Sequence, residues 1–314
     1  MRKKSYLRAL GALLLLALPL LLSGCSSALL DPKGQIGEEQ RTLIITAFVL
    51  MLIVVIPVIV MTLLFAYRYR RGNPEASYKP NWAHSTAIEV VVWFIPCVII
   101  VVLAILTWHT SHDLDPMKPI EADADAMEIQ AVSLDWKWLF IYPEQGVATI
   151  NEVAMPVDRP IRFRISSGSV MNAFFIPTLG TQIYAMAGMD SNLYLIANQE
   201  GTYDGRSTNY SGAGFSGMTF QAHALSEEGF QDWVDEVKTS PDSLSYEDGY
   251  PALAEPSRNA PVQYFSNVSD ALYNNILESF RGGEPQELGL GGEKHGAHGH
   301  GAHGKESVNA EAAE

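Results

Sequence analysis

The stretch TLIITAFVLMLIVVIPVIVMTLLFAY, from Thr42 to Tyr67, carries no charge along its whole length. A run of this length can cross a hydrocarbon core of about 30 Å with some tilt. Pro57 is tolerated inside it, because neighbouring helices can satisfy the carbonyl that a proline leaves free. The stretch therefore predicts a first transmembrane helix over residues 42–67, and it places the chain among membrane proteins.

A second apolar run, residues 87–108, contains Glu89 as its only charge and predicts a second transmembrane helix. The loop between the two runs, residues 68–86, has one acidic residue, Glu75, against four basic ones: Arg68, Arg70, Arg71 and Lys79. Basic loops stay on the cytoplasmic side of a membrane. We therefore expect a helical hairpin in a bacterial inner membrane, with the rest of the chain in the periplasm.

The first 24 residues have the form of an export signal, with a basic start, a leucine-rich centre and small residues before Cys25. The ending Leu-Ser-Gly-Cys resembles the lipobox of bacterial lipoproteins, which implies a diacylglycerol on Cys25 and a periplasmic segment over 25–41. The alternative is an ordinary signal peptide cut nearby. Removing residues 1–24 deletes four positive charges, so the net charge changes from -14 to -14 - 4 = -18. This acidity favours solubility or the docking of a basic partner protein.

After an acidic linker over residues 109–126, the apolar pattern changes to a period of two. IRFRI, residues 161–165, alternates strictly, and GMTFQAHA places Met218, Phe220, Ala222 and Ala224 on one face. Short strands separated by turn residues predict an antiparallel β-sandwich or Greek-key barrel over residues 127–225. The fold class is thus a membrane α + β protein, in which a transmembrane hairpin precedes a periplasmic β-sandwich.

A helical extension is predicted over residues 226–288. Ser226 can cap a helix whose apolar stripe consists of Phe230, Trp233, Val234 and Val237, and a second helix is expected over residues 270–280. The tail, residues 289–314, has nothing to bury and predicts disorder. Its histidines could chelate zinc, copper or nickel adventitiously or deliver metal to an enzyme: His295, His298, His300 and His303.

The strings PKGQIG, LDWKWLFIYPEQG, SVMNAFFIPTLG, QIYAMAGM, GTYDG and YSGAGFSGM resemble subunit II of the haem-copper respiratory oxidases, in particular its cytochrome bo-type ubiquinol oxidase branch. The resemblance runs from about Cys25 to about Phe280. It implies a cupredoxin-like fold for the β-sandwich.

In the cytochrome c oxidase branch, this fold holds a dicopper centre on an early histidine and a late Cys-x-Glu-x-Cys-x-x-x-His-x-x-Met loop, because bridging thiolates suit copper. The resemblance places other residues at the ligand positions: Asn172, Ser211, Ala213, Phe215, Thr219 and Ala222. The only cysteines of the chain are Cys25 and Cys97. We therefore expect a lost copper site in which Phe215 fills the space, while Ser211 and Thr219 hydrogen-bond locally.

The resemblance implies a subunit with no cofactor of its own in a proton-pumping ubiquinol oxidase. Haems and a copper ion are expected in subunit I, with smaller membrane subunits and lipid as further partners, ubiquinol as the substrate of the complex and no nucleic acid. Glu89 matches a glutamate at the mouth of a proton pathway; from the residues alone it is an interfacial carboxylate near a helix start. The alternatives are a cytochrome c oxidase subunit with an atypical electron route, and a periplasmic metal-handling lipoprotein.

Two further groups of residues have a structural and a functional interpretation. Trp136 and Trp138 resemble an electron-transfer segment, but sandwich packing or docking against subunit I is favoured, since no copper follows them. Asp135 and Lys137 are then expected at the surface or at an interface. Four methionines could suggest soft-metal binding, yet core filling is favoured: Met171, Met186, Met189 and Met218.

Overall fold

The computed structural model describes residues 28–77, 81–122 and 124–282. Cys25 and the histidine tail lie outside the described residues. Two long helices come first, α1 (Gln35–Arg68) and α2 (Thr86–Asp113), and they contain the predicted spans 42–67 and 87–108. Both are apolar on all sides, and neither apolar stretch is buried against the rest of the chain. By length and composition either can cross a membrane; α1 is about 51 Å long at 1.5 Å per residue.

Helix α1 begins well before Thr42, because the segment in front of it is held against the β-domain. The N–H of Lys33 donates to the carbonyl of Thr178 at 2.8 Å, and the N–H of Gly37 donates to that of Leu179 at 3.1 Å. A Cβ atom on Gly34 would lie 2.3 Å from the carbonyl oxygen of Ile196, so only glycine allows this approach. The seven residues 35–41 thus form a helical link between the apolar part of α1 and the β-domain.

The β-domain consists of two stacked sheets. The first has six strands in the order β12-β3-β2-β1-β5-β8: β12 (Gln263–Phe265), β3 (Val147–Ile150), β2 (Lys137–Tyr142), β1 (Met127–Leu134), β5 (Ile161–Ser167) and β8 (Ser191–Leu195). The second has five strands in the order β4-β10-β9-β6-β7: β4 (Glu152–Pro156), β10 (Thr219–Leu225), β9 (Gly201–Ser207), β6 (Asn172–Phe175) and β7 (Ile183–Ala185). The predicted sandwich is confirmed.

Two strand pairs within the sandwich are parallel, which refines the expectation of an antiparallel sandwich. β1 pairs with β5 and β4 pairs with β10 in parallel. The reason is topological: after β3 the chain crosses to the second sheet as β4 and returns to the first as β5, so that β5 runs in the direction of β1. Parallel neighbours require such crossovers.

The space between the sheets is filled as the alternating pattern predicts. In β10, Phe220, Ala222 and Ala224 are buried, whereas Thr219 and Gln221 are exposed. A cluster of aromatic rings occupies the centre of this inner core: Trp138, Phe140, Phe163, Phe174 and Phe220.

The C-terminal extension begins with α3 (Glu227–Lys238), whose cap is the predicted Ser226: its hydroxyl accepts the N–H of Gly229 at 3.1 Å. The predicted stripe of four apolar residues is buried. The remaining elements are β11 (Ser243–Leu244), α4 (Tyr250–Ala254), β12, β13 (Asn267–Val268) and α5 (Leu272–Arg281). Helix α5 matches the prediction of 270–280 within the usual disagreement between assignments. The extension therefore adds the edge strand β12 to the six-stranded sheet and packs over its outer face.

Candidate functional site

The candidate site is the place where two loops of the β-domain meet. Residues 209–217, called here the glycine loop, connect β9 to β10, and the segment before β6 lies beside them. The N–H of Thr208 donates to the carbonyl of Ala173 at 3.2 Å, and the side-chain amide of Asn209 donates to that of Met171 at 3.0 Å. The structure thus places the segment at Asn172 beside the glycine loop, which carries Ser211, Ala213 and Phe215.

Asn172 stands at the first of these positions, at the start of β6. Its side chain is 1% exposed, and its Oδ1 accepts a hydrogen bond from the Ser207 hydroxyl at 2.5 Å. Its amide nitrogen lies 3.5 Å from the carbonyl oxygen of Val170. A buried amide needs such partners, so Asn172 acts as a connector between β6 and β9.

Trp136, and not a loop residue, occupies the space under the glycine loop. It forms the turn between β1 and β2 with φ at 69°, a rare value for a bulky side chain. Its indole N–H donates to the carbonyl of Ser211 at 3.1 Å. A Cβ atom on Gly214 would lie 2.3 Å from the indole Cδ2, and one on Gly212 would lie 3.3 Å from Cζ2. Two of the loop glycines thus allow the loop to lie directly on an aromatic ring.

The expectations for individual loop residues need correction. Phe215 does not fill the space of a metal site: it is half-buried and packs edge-on against Tyr210, with ring centroids 5.6 Å apart. The Ser211 hydroxyl is buried with no hydrogen-bond partner among the described residues, so the predicted local bond is wrong, and its carbonyl makes the contact instead. Trp136 already fills the interior, which leaves these side chains no space beneath the loop.

The other three of the six predicted ligand positions lie apart from one another in the structure. Ala213 is exposed at the tip of the loop; Thr219 is exposed at the start of β10, where it pairs with Arg206; Ala222 lies inside the sandwich core. The donors at the six positions are thus amide and hydroxyl groups, with no thiolate or imidazole. This set does not fit a dicopper centre, which requires soft sulfur ligands and imidazoles.

Trp138 belongs to the sandwich core, which confirms packing for this residue. It is 0% exposed, and its ring contacts Phe174 and Phe220 at centroid distances of 5.3 Å and 6.0 Å. Core filling is wrong for two of the methionines: Met171 and Met189 are 40% and 50% exposed, whereas Met218 is buried. Among the residues that the structure describes, no group of three or more His, Cys, Asp or Glu side chains is arranged to hold a metal ion.

Lys137, expected at the surface or at an interface, is buried where the C-terminal extension meets the first sheet. It is 3% exposed, and its ammonium donates to the carbonyl of Glu255 at 2.8 Å and to the hydroxyl of Ser257 at 2.7 Å. Burial lowers the pKa of Lys137, while the charges of Asp135 and Glu255 raise it in part. This burial is not visible in the local sequence, because the oxygens that bond the ammonium belong to the C-terminal extension.

Glu89 lies in the first turn of α2, away from the β-domain sites. Its carboxylate Oε1 accepts the backbone N–H of Ser85, the residue that precedes the helix, at 3.3 Å. A carboxylate in this place satisfies one of the free N–H groups of a helix start and suits the positive end of the helix dipole. The side chain is exposed at the surface of the chain.

Two family models match successive parts of the chain. The family model for the cytochrome c oxidase subunit II periplasmic domain matches residues 108–225, and that for the COX aromatic rich motif matches residues 238–283. A solved periplasmic domain of subunit II of cytochrome oxidase from Bradyrhizobium japonicum is 23% identical and covers 39% of this chain and 98% of its own, with a TM-score of 0.36.

Relatives of known type align over most of this chain. Cytochrome bo(3) ubiquinol oxidase subunit 2 of Pseudomonas aeruginosa is 61% identical over 265 residues, 84% of this chain and 80% of the relative. The protein of the same name from Pseudomonas putida is 54% identical, over 90% and 89% of the two chains. Ubiquinol oxidase subunit 2 of Acetobacter aceti is 52% identical, over 87% and 89%. The chain belongs to the ubiquinol oxidase subunit 2 family.

Proposed function

We propose that this chain is the subunit II of a terminal ubiquinol oxidase and carries no electron acceptor of its own. The donor set at the glycine loop is the observation that carries the proposal: an amide, hydroxyls, methyl groups and a phenyl ring cannot hold copper in a dicopper arrangement. The relatives that are 61%, 54% and 52% identical to this chain are ubiquinol oxidase subunits. The chain then serves assembly and shape, and quinol is oxidised in the membrane.

The remaining chemistry is assigned to partner subunits. In this proposal, subunit I carries the haems and a copper ion that reduce oxygen to water, and smaller membrane subunits complete the complex. The two apolar helices supply the surface for this assembly, since their side chains are exposed all round and lipid or other helices must cover them. A metal-handling lipoprotein has no use for such a hairpin, which disfavours that alternative.

Oxygen uptake tests the proposal directly. The complex is purified through a tag on this chain and given ubiquinol in one assay and reduced cytochrome c in the other. We expect uptake with ubiquinol alone. Uptake with cytochrome c at a comparable rate would contradict the proposal, because it requires an electron acceptor that faces the periplasm.

We further propose that Glu89 stands at the mouth of a proton pathway on the cytoplasmic side. A carboxylate is costly near the hydrocarbon region and is retained there for function or for a helix start. The hydrogen bond from the Ser85 N–H engages one carboxylate oxygen of Glu89, and the side chain is exposed. The basic residues of the 68–86 loop lie on the same side of the membrane.

The test uses Glu89→Gln, which can still accept the backbone hydrogen bond but cannot titrate. We expect oxygen turnover and proton uptake to fall in this variant. Glu75→Gln is the matched control, since it removes an exposed carboxylate from the cytoplasmic loop and should leave both rates unchanged. Equal rates in all three proteins would show that Glu89 only caps the helix.

We also propose that the chain is anchored in the inner membrane through a lipid on Cys25 in addition to its two helices. Leu29 and Leu30, which follow this cysteine closely, are 42% and 40% exposed and would suit a membrane surface. Mass spectrometry of the N-terminal peptide should find a diacylglyceryl group on Cys25. An unmodified peptide, or one that begins elsewhere, contradicts the anchor without affecting the proposed oxidase role.

A further inference from the structure

The glycine loop has few contacts of its own to hold it. Its side chains supply one hydrogen bond to the rest of the domain, from Asn209 to the carbonyl of Met171. The backbone bonds within it are short-range turns, such as that from the Gly217 N–H to the Gly214 carbonyl at 3.0 Å. Glycine also costs more conformational entropy to order than other residues. The shape of the loop therefore depends on what lies next to it.

A segment of the C-terminal extension, residues 255–261, is called here the strap, and it is anchored firmly to the first sheet. The Lys137 ammonium bonds the carbonyl of Glu255 and the hydroxyl of Ser257, at 2.8 Å and 2.7 Å. The Asn151 amide donates to the carbonyl of Ala260 at 2.8 Å. Lys137 and Asn151 are 3% and 8% exposed, so breaking these bonds would deprive a buried ammonium and a buried amide of partners, which is costly.

The strap reaches the glycine loop at two points. The guanidinium of Arg258 lies over the Trp136 ring, 5.8 Å from its centroid, while the loop glycines lie against the same indole. Asn259 stands beside Gly217, where an added Cβ atom would lie 2.3 Å from the Asn259 Oδ1. The Trp136 indole is thus held between the strap and the loop.

We infer that the strap sets the conformation of the glycine loop, acting through Trp136 and Asn259. The C-terminal extension would then decide the shape of a surface formed elsewhere in the sequence, including the position of Tyr210, which is 75% exposed and packs against Phe215. Loop and extension form one unit, and release of the strap releases the loop. The coupling is intramolecular and is independent of the electron donor that the complex uses.

Hydrogen exchange in the intact purified complex tests this coupling. Lys137→Met removes the donor for two strap oxygens, and Asn259→Gly removes the side chain beside Gly217 while it tolerates the φ of 51° at that position. We expect the amides of residues 209–217 to exchange about tenfold faster in either variant, with those of β10 unchanged. Ser240→Ala is the control: it removes hydrogen bonds to the Tyr264 carbonyl and from the Asp242 N–H, within the extension but outside the strap, and should leave the loop protected.

Two results of the exchange experiment would overturn the inference. Faster exchange in the strap with an unchanged glycine loop overturns the inference, because the strap is then open while the loop keeps its shape. Faster exchange of the loop in Ser240→Ala as well also overturns it, since any loosening of the extension would suffice. If Lys137→Met prevents assembly of the complex, Asn259→Gly decides alone, because it alters a surface side chain and leaves the buried ammonium in place.

Discussion

Around β2 and β3, the six-stranded sheet is buried on both faces, and the two faces are covered by different parts of the chain. On the inner face, Trp138 and Phe140 of β2 pack against Phe174 of the second sheet. On the outer face, Leu139 and Ile141 of the same strand belong to a separate cluster with residues of the extension. A sheet with two apolar faces needs a layer on each side. The extension is therefore part of the domain fold and not an appendage.

The second sheet covers the inner face, and the C-terminal extension, called here the outer cover, covers the outer face. The two are attached to the six-stranded sheet in different ways. The inner core is closed by stacked and edge-on aromatic rings, with Phe174 and Phe220 at 5.2 Å and 13°. The outer cover is a set of short helices and strands fastened by specific polar bonds, among them Tyr273 to Asp190 at 2.9 Å and Lys137 to the strap. We expect the outer cover to open first and the inner core to open only on global unfolding.

The largest expected effect comes from breaking the inner core. Phe174 is 0% exposed and contacts several other aromatic rings, so Phe174→Ala should cost about 3–5 kcal/mol of the free energy of unfolding. Denaturant unfolding of the purified chain in detergent measures it. Tyr184→Ala, on the neighbouring strand β7 and 50% exposed, should change stability by no more than about 0.5 kcal/mol. Similar losses in both variants would contradict an inner core of this kind.

A large-to-small substitution in the outer cover should loosen mainly the extension. Ile276 is 0% exposed on α5, so Ile276→Ala should cost about 2–5 kcal/mol, felt first as faster amide exchange in the extension. Phe280→Ala, on the same helix but 48% exposed, is the control and should have little effect. Equal acceleration in β10 and in α5 would mean that the two covers open together.

At the glycine loop, an added side chain should lower the free energy of unfolding through overpacking. Gly214 has φ and ψ of -98° and 0°, which alanine can adopt, but the added Cβ would lie 2.3 Å from the Trp136 ring. Gly214→Ala should therefore cost about 1–3 kcal/mol. In a Trp136→Ala background the same change should cost nothing, because the ring is gone; a persistent cost there would point to the loop backbone instead. Denaturant unfolding of the four proteins of the cycle gives the coupling energy.

Local patterns predicted the parts of the fold that depend on near neighbours. The cap at Ser226, the buried stripe of α3 and the alternation of β10 are each visible within about ten residues of sequence, where periodicity and capping act. Residues 138–142 are all buried, because both faces of the sheet are covered at this strand. Their sequence therefore lacks the alternation of apolar and polar residues that identifies a half-buried strand.

The candidate site depends on contacts that no local pattern contains. Trp136 bonds a residue 75 positions away, and Lys137 bonds residues 118 and 120 positions away. A lysine is ordinarily exposed, and only these distant oxygens make its burial tolerable. The available sequence signal was a group of three closely spaced glycines, Gly212, Gly214 and Gly217, which indicates close packing but not the partner.

The smallest expected effect concerns the bond that fastens α5. Tyr273→Phe removes the hydrogen bond to Asp190, and because Arg164 still pairs with this carboxylate at 2.6 Å, the cost should be at the low end, about 1.5 kcal/mol. Amide exchange of α5 in the intact complex is the measurement. Tyr194→Phe, with a partly exposed tyrosine on strand β8, is the control and should leave α5 unchanged.

The same bond predicts how the outer cover responds to alkali. Burial raises the pKa of the Tyr273 hydroxyl, and the Asp190 charge raises it further, so this group stabilises the fold fully below its ordinary pKa of about 10 and loses that contribution as pH rises above it. Burial lowers the pKa of Lys137, which acts in the opposite direction up to about pH 10.5. Release of the extension, followed by tryptophan fluorescence, is therefore expected above that pH. Tyr273→Phe should flatten the alkaline loss, and an unchanged pH profile would place the responsible group among the other buried tyrosines.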